Sequence, residues 1–314
     1  VLDDYQNVAL TAADWSAVSG EIDVTVFDAP FGSPEAAKRA LAGFHIICAM
    51  RERTPFPRDL IEALPDLKLL ITTGARNNSF DLVAAAERGV VVCATGGYGN
   101  PTVGIVFGLM LELTRRIGFE NARMKALAPW QVTVGTDLEG LTLGLIGLGR
   151  LGRRVAIVAQ AFGMKVIAWS QNLTAEACQA AGVEYAGKDD LFRAADVVSV
   201  HVVLSARSRG LIGTAELALM KPTAYLVNTA RGPIVDENAL IAALSERRIA
   251  GAGLDVFSTE PLPLDHPFRR LDNVVMTPHL GYVSRQNYAR YFADMIEDIR
   301  AFLDGQPIRV ISAA

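Results

Sequence analysis

Arg231, Glu260 and His279 each follow closely on a short apolar run, at residues 224–228, 251–255 and 273–276, and Asp255 ends the second of these. If those runs are parallel strands, the four side chains crowd the carboxyl edge of one sheet, where ligands of open α/β sheets bind. A guanidinium there can grip a carboxylate through two parallel hydrogen bonds. A histidine beside a carboxylate can hold and release a proton near neutral pH. Singly, each has a plainer reading: a surface arginine at a strand end, loop or helix-capping acids, a structural histidine. Of the other three histidines, His45 opens an apolar strand and reads as structural. His201 sits in an apolar run as a core residue, and His266 precedes Pro267 in an irregular loop, where exposure is expected.

What gives the group its chemistry is the stretch Leu143-Gly-Leu-Ile-Gly147-Leu-Gly149-Arg150-Leu151-Gly152. An apolar strand, a turn with glycines at 147, 149 and 152, and a helical run follow one another, the setting in which such a spacing binds a dinucleotide. Gly147 permits the turn, Gly149 lets a pyrophosphate approach the backbone, and Gly152 lets helix and strand pack closely. The free N–H groups of the helix start then favour phosphate. Arg150 either reaches the pyrophosphate or is a solvated helix-start residue. An arginine, a carboxylate and a histidine converging beside a nicotinamide make a sensible reduction site. The next strand, 165–169, ends at Ser170, where an acid usually binds the adenosine ribose. Without that acid nothing repels a 2′-phosphate, and no neighbouring Arg or Lys attracts one, so NAD and NADP both stay open.

Placing these residues takes an alternation of strands and helices. In the first hundred residues, strands are predicted at 1–3, 22–27, 45–48, 67–72 and 90–93, with helices such as 34–42, capped by Ser33, and 80–87. The breaker cluster at residues 96–101 marks a boundary. A long helical run, 102–127, follows, and six further strands are predicted at 143–146, 165–169, 197–202, 224–228, 251–255 and 273–276. Helices are predicted at 150–162, 175–181, 214–220 and 236–247. Short apolar strands separated by helices argue for parallel sheets covered on both faces. The expected fold is α/β, with two doubly wound domains: a dinucleotide-binding Rossmann domain over residues 99–282 and a discontinuous domain formed by 1–98 and 283–314. The last helix, 284–303, has no strand left to serve and is expected to pack on the first domain.

The totals exclude several classes. A hydrophobic fraction of 51% with 20% charged residues is that of an ordinary soluble globular protein. A net charge of −4 without long charged runs points away from nucleic acid and anionic membranes. The apolar run 103–111 is too short to cross a bilayer and ends in Glu112. No signal-peptide pattern opens the chain, and Cys48, Cys93 and Cys178 read as reduced, buried thiols. A cytoplasmic location is expected.

Four motifs in order, Gly147-Leu-Gly-Arg-Leu-Gly152, Asn228-Thr-Ala-Arg-Gly-Pro-Ile-Val-Asp236, Leu254-Asp-Val-Phe-Ser-Thr-Glu-Pro261 and Thr277-Pro-His-Leu-Gly281, resemble the D-isomer-specific 2-hydroxyacid dehydrogenases, including phosphoglycerate dehydrogenases and glyoxylate or hydroxypyruvate reductases. The likeness covers essentially the whole chain. It implies hydride transfer between NAD or NADP and a small 2-oxo or 2-hydroxy acid, with no metal. Arg231 would bind the substrate carboxylate and carbonyl, His279 would donate and accept the proton, and Glu260 would orient His279. Asp255 would hold the nicotinamide carboxamide, while Val202, Val203, Thr229 and Ala230 would line the nicotinamide. The first domain would be a flavodoxin-like substrate domain in which Gly74, Ala75 and Arg76 form the substrate loop. Ser170 in place of the commoner Asp, and Val203 in place of proline, depart from the family pattern. Arg51, Arg53 and Arg76 are either phosphate ligands or solvated charges. Residues 102–127 resemble the family's dimerisation segment, implying a homodimer. The alternative is a dinucleotide-sensing binding protein like the corepressors built on this fold, which keep the same Arg, Glu and His.

Overall fold

Runs of apolar side chains buried on both faces become short parallel strands, as expected of sheets covered by helices. The computed structural model describes residues 1–313 and separates into two units, one from residues 1–99 plus the chain from Val283 onward, the other from residues 100–282.

In the first unit α1 (Pro34–Leu41) starts where Ser33 accepts a hydrogen bond from the Ala36 N–H, with Pro34 in the first turn. It is followed by β1 (Ile46–Ala49), α2 (Arg58–Glu62), β2 (Leu69–Thr72), α3 (Leu82–Glu87) and β3 (Val91–Ala94). The three strands pair in parallel in the order β1-β2-β3, with Ile46 opposite Leu69 and Leu69 opposite Val91. The two strands predicted upstream are extended chain without a regular ladder. Leu2 N–H donates to the Cys48 carbonyl, while Phe27 N–H donates to Val1 and Asp4 N–H to Phe27. These bonds place segment 22–27 outside segment 1–4, and segment 1–4 outside β1, the 2-1-3-4-5 order of a flavodoxin-like sheet. Asp3 adopts a left-handed φ of 60°, which breaks the register a strand would need.

The second unit opens with α4 (Thr102–Arg115) and α5 (Ile117–Lys125). The single long helix expected here is broken at Arg116, which is left-handed with φ 51°. The Glu112 carboxylate caps the new helix start, accepting from Gly118 N–H at 2.6 Å and Phe119 N–H at 3.3 Å. Then come β4 (Thr142–Ile146), α6 (Arg150–Ala161), β5 (Lys165–Trp169), α7 (Ala175–Gln179), β6 (Glu184–Tyr185), α8 (Lys188–Ala194), β7 (Val197–Val200), α9 (Thr214–Leu219), β8 (Tyr225–Asn228), α10 (Glu237–Ser245), β9 (Gly251–Leu254) and β10 (Val274–Met276). All seven strands are parallel, in the order β10-β9-β8-β7-β4-β5-β6. The order reverses between β4 and β7, so the switch-point crevice lies beyond their carboxyl ends. Seven strands stand where six were predicted, because β6 is two exposed residues with no apolar pattern.

The chain ends in α11 (Arg285–Leu303), capped by Ser284. It belongs to the first unit, burying Tyr288, Tyr291, Phe292, Met295 and Ile299. Asp294 accepts the Gly96 N–H at 2.7 Å and Asn287 the Tyr98 N–H at 2.8 Å. All three cysteines are buried free thiols; burial pushes Cys48 up to about 11 and Cys93 up to about 12, which keeps both protonated and inert.

Candidate active site

The glycine turn joins β4 to α6 at the switch point. Gly147 has φ 107°, and a Cβ there would meet the His201 backbone at 2.9 Å; a Cβ on Gly152 would lie 2.2 Å from the Gly147 carbonyl oxygen. Gly149, in contrast, faces open space within 4 Å and precedes a helix start with no side-chain cap and no acidic residue in its first turn. The three glycines therefore meet three different demands: a left-handed turn, close packing, and an accessible backbone that a phosphate can approach. Leu151 lies in the first turn of α6, and Arg150 beside it donates to Asn100 Oδ1 at 2.5 Å. On the other side of the crevice, His201 follows β7. Its Nε2 lies 2.9 Å from Ser199 Oγ, and burial lowers its pKa to about 4, so the ring is neutral. Val202 is half-buried and Val203 exposed.

Past the end of β8, Thr229 is buried, and its Oγ1 has no hydrogen-bond partner among the described residues. A buried orphan hydroxyl at the same carboxyl edge of the sheet as an accessible glycine turn suits a polar ligand group, so the residues present fit a bound dinucleotide. Ser170 is half-buried at the end of β5. Ala230 N–H donates to Asn228 Oδ1 at 3.0 Å, and Asn228 Nδ2 donates to the Arg231 carbonyl at 3.0 Å, which shapes the loop that carries Arg231. Gly232 must be glycine: a Cβ would fall 2.1 Å from the Phe257 carbonyl carbon.

His279 and Glu260 meet, with Nδ1 2.6 Å from Oε2. The other Glu260 oxygen accepts the Phe257 N–H at 2.9 Å. Burial opposes ionisation of Glu260. The hydrogen bond and charge of His279, the Phe257 N–H and the Arg231 charge outweigh it and hold the carboxyl below its ordinary range. With Nδ1 turned to Glu260, Nε2 is the ring nitrogen left to exchange a proton with a ligand.

Asp255 does structural work that its sequence position did not reveal. It is fully buried; Oδ1 accepts from Thr277 Oγ1 at 2.6 Å and Leu280 N–H at 2.7 Å, and Oδ2 accepts from Gly281 N–H at 2.8 Å. Its carbonyl also accepts the His279 N–H at 2.9 Å. Burial raises its pKa, against the pull of these hydrogen bonds and of the His279 charge. His279 has a left-handed φ of 53°, and these four bonds are what hold its turn in that conformation.

In the first unit, Gly74 is left-handed at φ 80°, and its N–H is taken by Thr95 Oγ1 at 2.8 Å. Ala75 and Arg76 are exposed. Two of the three arginines weighed as phosphate ligands are engaged locally. Arg51 donates to the Thr73 carbonyl at 3.1 Å, and Arg53 donates to the Asp3 carbonyl at 2.7 Å and lies over the Tyr5 ring. His266, expected to be exposed, is instead tucked against Phe268, with Nε2 3.2 Å from Glu237 Oε1. Its partner lies 29 residues away, so no local pattern could have revealed the pair. Among the described residues no group of metal-ligating side chains forms, and no helix is long and apolar enough to cross a membrane.

Residues 107–281 match the family model for the D-isomer specific 2-hydroxyacid dehydrogenase NAD binding domain. The chain belongs to the D-isomer-specific 2-hydroxyacid dehydrogenase family. Like other members of that family of NAD(P)-dependent enzymes, it carries an NAD-binding domain, here formed by the seven-stranded sheet. Glyoxylate reductase of Aeropyrum pernix is 37% identical over 257 residues, covering 79% of this chain and 77% of that protein. The crystal structure of a phosphoglycerate oxidoreductase from Vibrio cholerae superimposes with a TM-score of 0.92 at 32% identity, over 97% of this chain and 98% of that one. D-lactate dehydrogenase from Aquifex aeolicus, crystallised with NAD and lactic acid, gives a TM-score of 0.76 at 28% identity over 93% and 92% of the two chains.

Proposed function

We propose that this dehydrogenase reduces a small 2-oxo acid to its D-2-hydroxy acid with NADH or NADPH, and catalyses the reverse oxidation. The observation that carries this reading is the 2.6 Å His279–Glu260 pair, with the Arg231 charge acting on the same carboxylate, on the sheet that also bears the glycine turn. The bound nicotinamide supplies or takes up the hydride at the substrate's C2. Arg231 binds the substrate carboxylate and carbonyl oxygen and draws electron density towards that oxygen. His279 Nε2 gives its proton to the oxygen as the hydride adds, which leaves a neutral hydroxyl and a neutral imidazole. In the oxidation the proton returns to the same nitrogen. Glu260 fixes the ring and faces the positive charge that it carries during the transfer. Gly147, Gly149, Arg150, Leu151 and Gly152 take the pyrophosphate, Ser170 the adenosine ribose, and Val202, Val203, Thr229, Ala230 and Asp255 the nicotinamide end. With the Gly74 N–H committed to Thr95, the N–H groups of Ala75 and Arg76 are the substrate loop's donors for a carboxylate.

Reading Arg231 as the carboxylate ligand predicts that Arg231→Ala lowers kcat/KM by at least about a hundredfold with NADH binding intact. Turnover within about threefold of wild type would remove that role. We also propose a homodimer built on α5 and the segment after it. α5 buries none of its residues, and Leu127, Trp130 and Val134 expose 93%, 73% and 101% of their surface. Exposed large apolar side chains so close along the chain mark an interaction surface. Sedimentation at micromolar concentration is expected to give twice the chain mass, reduced to one by charged substitutions at Leu127 and Trp130; a wild-type monomer would overturn the proposal.

A further inference from the structure

Glu260 stands on a loop that has to be held in place from below. Both oxygens of Glu237, the first residue of α10, are committed to that loop. Oε2 accepts the Ser258 N–H at 3.2 Å, two residues before Glu260, and Oε1 pairs with His266 Nε2 at 3.2 Å on the loop's far limb. His266 Nδ1 accepts the Phe268 N–H at 3.3 Å, so Nδ1 carries no proton and Nε2 is the donor to Glu237. The ring is clamped between a carboxylate and a backbone donor and packs on the Phe268 ring at 4.8 Å. A second strut runs alongside: Gly232, next to Arg231, packs directly on the Phe257 carbonyl, and the Phe257 N–H holds Glu260 Oε1. α10 begins a few residues after Arg231, so Glu237 joins the loop that carries Arg231 to the loop that carries Glu260. A small cavity bordered by Asn228, Gly232, Glu237 and Phe268 lies between these elements, beside the buried core that includes Leu240, Phe257 and Phe268.

We propose that Glu237, with His266, is a positioning residue that fixes Glu260 against His279 and Arg231. A half-buried acid–imidazole pair thus underpins the acid–imidazole pair of the reaction. The proposal rests on the proton-transfer reading above. Without Glu237 the stretch from Ser258 to Glu260 is released at one end, and the 2.6 Å contact with His279 lengthens or becomes intermittent. Binding of the dinucleotide at the glycine turn does not pass through these contacts and is expected to be unaffected.

The test uses Glu237→Ala, Glu237→Gln and His266→Asn in the full chain, with two readouts. The first is the downfield imidazole N–H proton resonance that a short nitrogen–carboxylate hydrogen bond gives, identified by its loss in Glu260→Ala. The second is kcat with NADH affinity measured separately. Glu237→Ala should move the resonance upfield or broaden it and cut kcat by about tenfold or more, with NADH affinity within about twofold of wild type. Glu237→Gln keeps an oxygen acceptor for Ser258 and should recover part of the loss. An unchanged resonance with kcat within about twofold of wild type in folded Glu237→Ala overturns the proposal. If that variant does not fold, His266→Asn decides by the same readouts: a smaller change in the same direction supports it, and none overturns it. His279→Ala measured in parallel separates the two claims, because its retained turnover would refute the proton-transfer reading while the resonance still reports on Glu237.

Discussion

Replacing Glu260 with glutamine keeps the shape of the His279 contact and removes its charge. The two groups are 2.6 Å apart at their nearest atoms, and their side chains are 23% and 34% exposed. Charge centres about 4 Å apart attract by about 4 kcal/mol at an effective dielectric of 20 and by about 1 kcal/mol in water. Partial exposure places this pair near the lower end, at about 1–2 kcal/mol. The same attraction holds the Glu260 carboxyl below its ordinary range, so the carboxylate is ionised throughout the working range of the enzyme. In the oxidation His279 gains positive charge as it takes the hydroxyl proton, and the Glu260 carboxylate stabilises that charge. Glu260→Gln should therefore lower kcat/KM for the oxidation by about tenfold, and for the reduction by the same factor because the overall equilibrium is fixed, with NADH affinity within about twofold of wild type. The assay is initial-rate NADH formation and oxidation in the two directions, with NADH affinity titrated separately. Rates within about twofold of wild type would refute the electrostatic argument and leave Glu260 only a steric role.

The glycine turn separates binding from stability. Gly149→Ala adds a methyl into open space at φ −75° and should leave Tm unchanged while weakening NADH at least tenfold, about 1.4 kcal/mol, in a fluorescence titration. Gly152→Ala forces a Cβ towards the Gly147 carbonyl and should lower stability by about 1–3 kcal/mol in denaturant melts; equal effects from both substitutions would contradict the assignment. On α11, burial pushes Asp298 up to about 7, although Arg309 donates to it at 2.9 Å. An unfolded aspartate titrates near pH 4, so between about 4 and 7 the folded chain binds more protons and stability falls as pH rises. Asp298→Asn keeps an acceptor for Arg309 and should flatten that fall, raising Tm above wild type by about 3 °C or more at pH 8. A wild-type Tm that rises steadily across the window would contradict it.

The parts of this molecule legible in sequence are those fixed by neighbours in the chain. Apolar runs mark β5 to the residue, and the breaks after β8, β9 and β10 put Arg231, Glu260 and His279 at one sheet edge because parallel strands leave no other arrangement. Hidden were features set by distant partners or by single backbone angles. The break falls at Arg116, not at a glycine or proline, and depends on Glu112 reaching forward to cap α5 through the Gly118 N–H. Asp3 interrupts a strand through φ alone. The half-buried seat of His266 follows from Glu237, and the conformation of His279 from Asp255, pairings 29 and 24 residues long that no periodicity encodes.

The central claim, an Arg–Glu–His site that protonates a 2-oxo acid as hydride arrives, is tested most directly by a rate matrix. NADH and NADPH are each set against glyoxylate, hydroxypyruvate, pyruvate and phosphohydroxypyruvate, with wild type and His279→Ala side by side. Stoichiometric cofactor oxidation giving a D-2-hydroxy acid with at least one pair, reduced by orders of magnitude in His279→Ala while cofactor affinity is retained, is the predicted result. Tight cofactor binding without turnover of any oxo acid, or full turnover in His279→Ala, would contradict it.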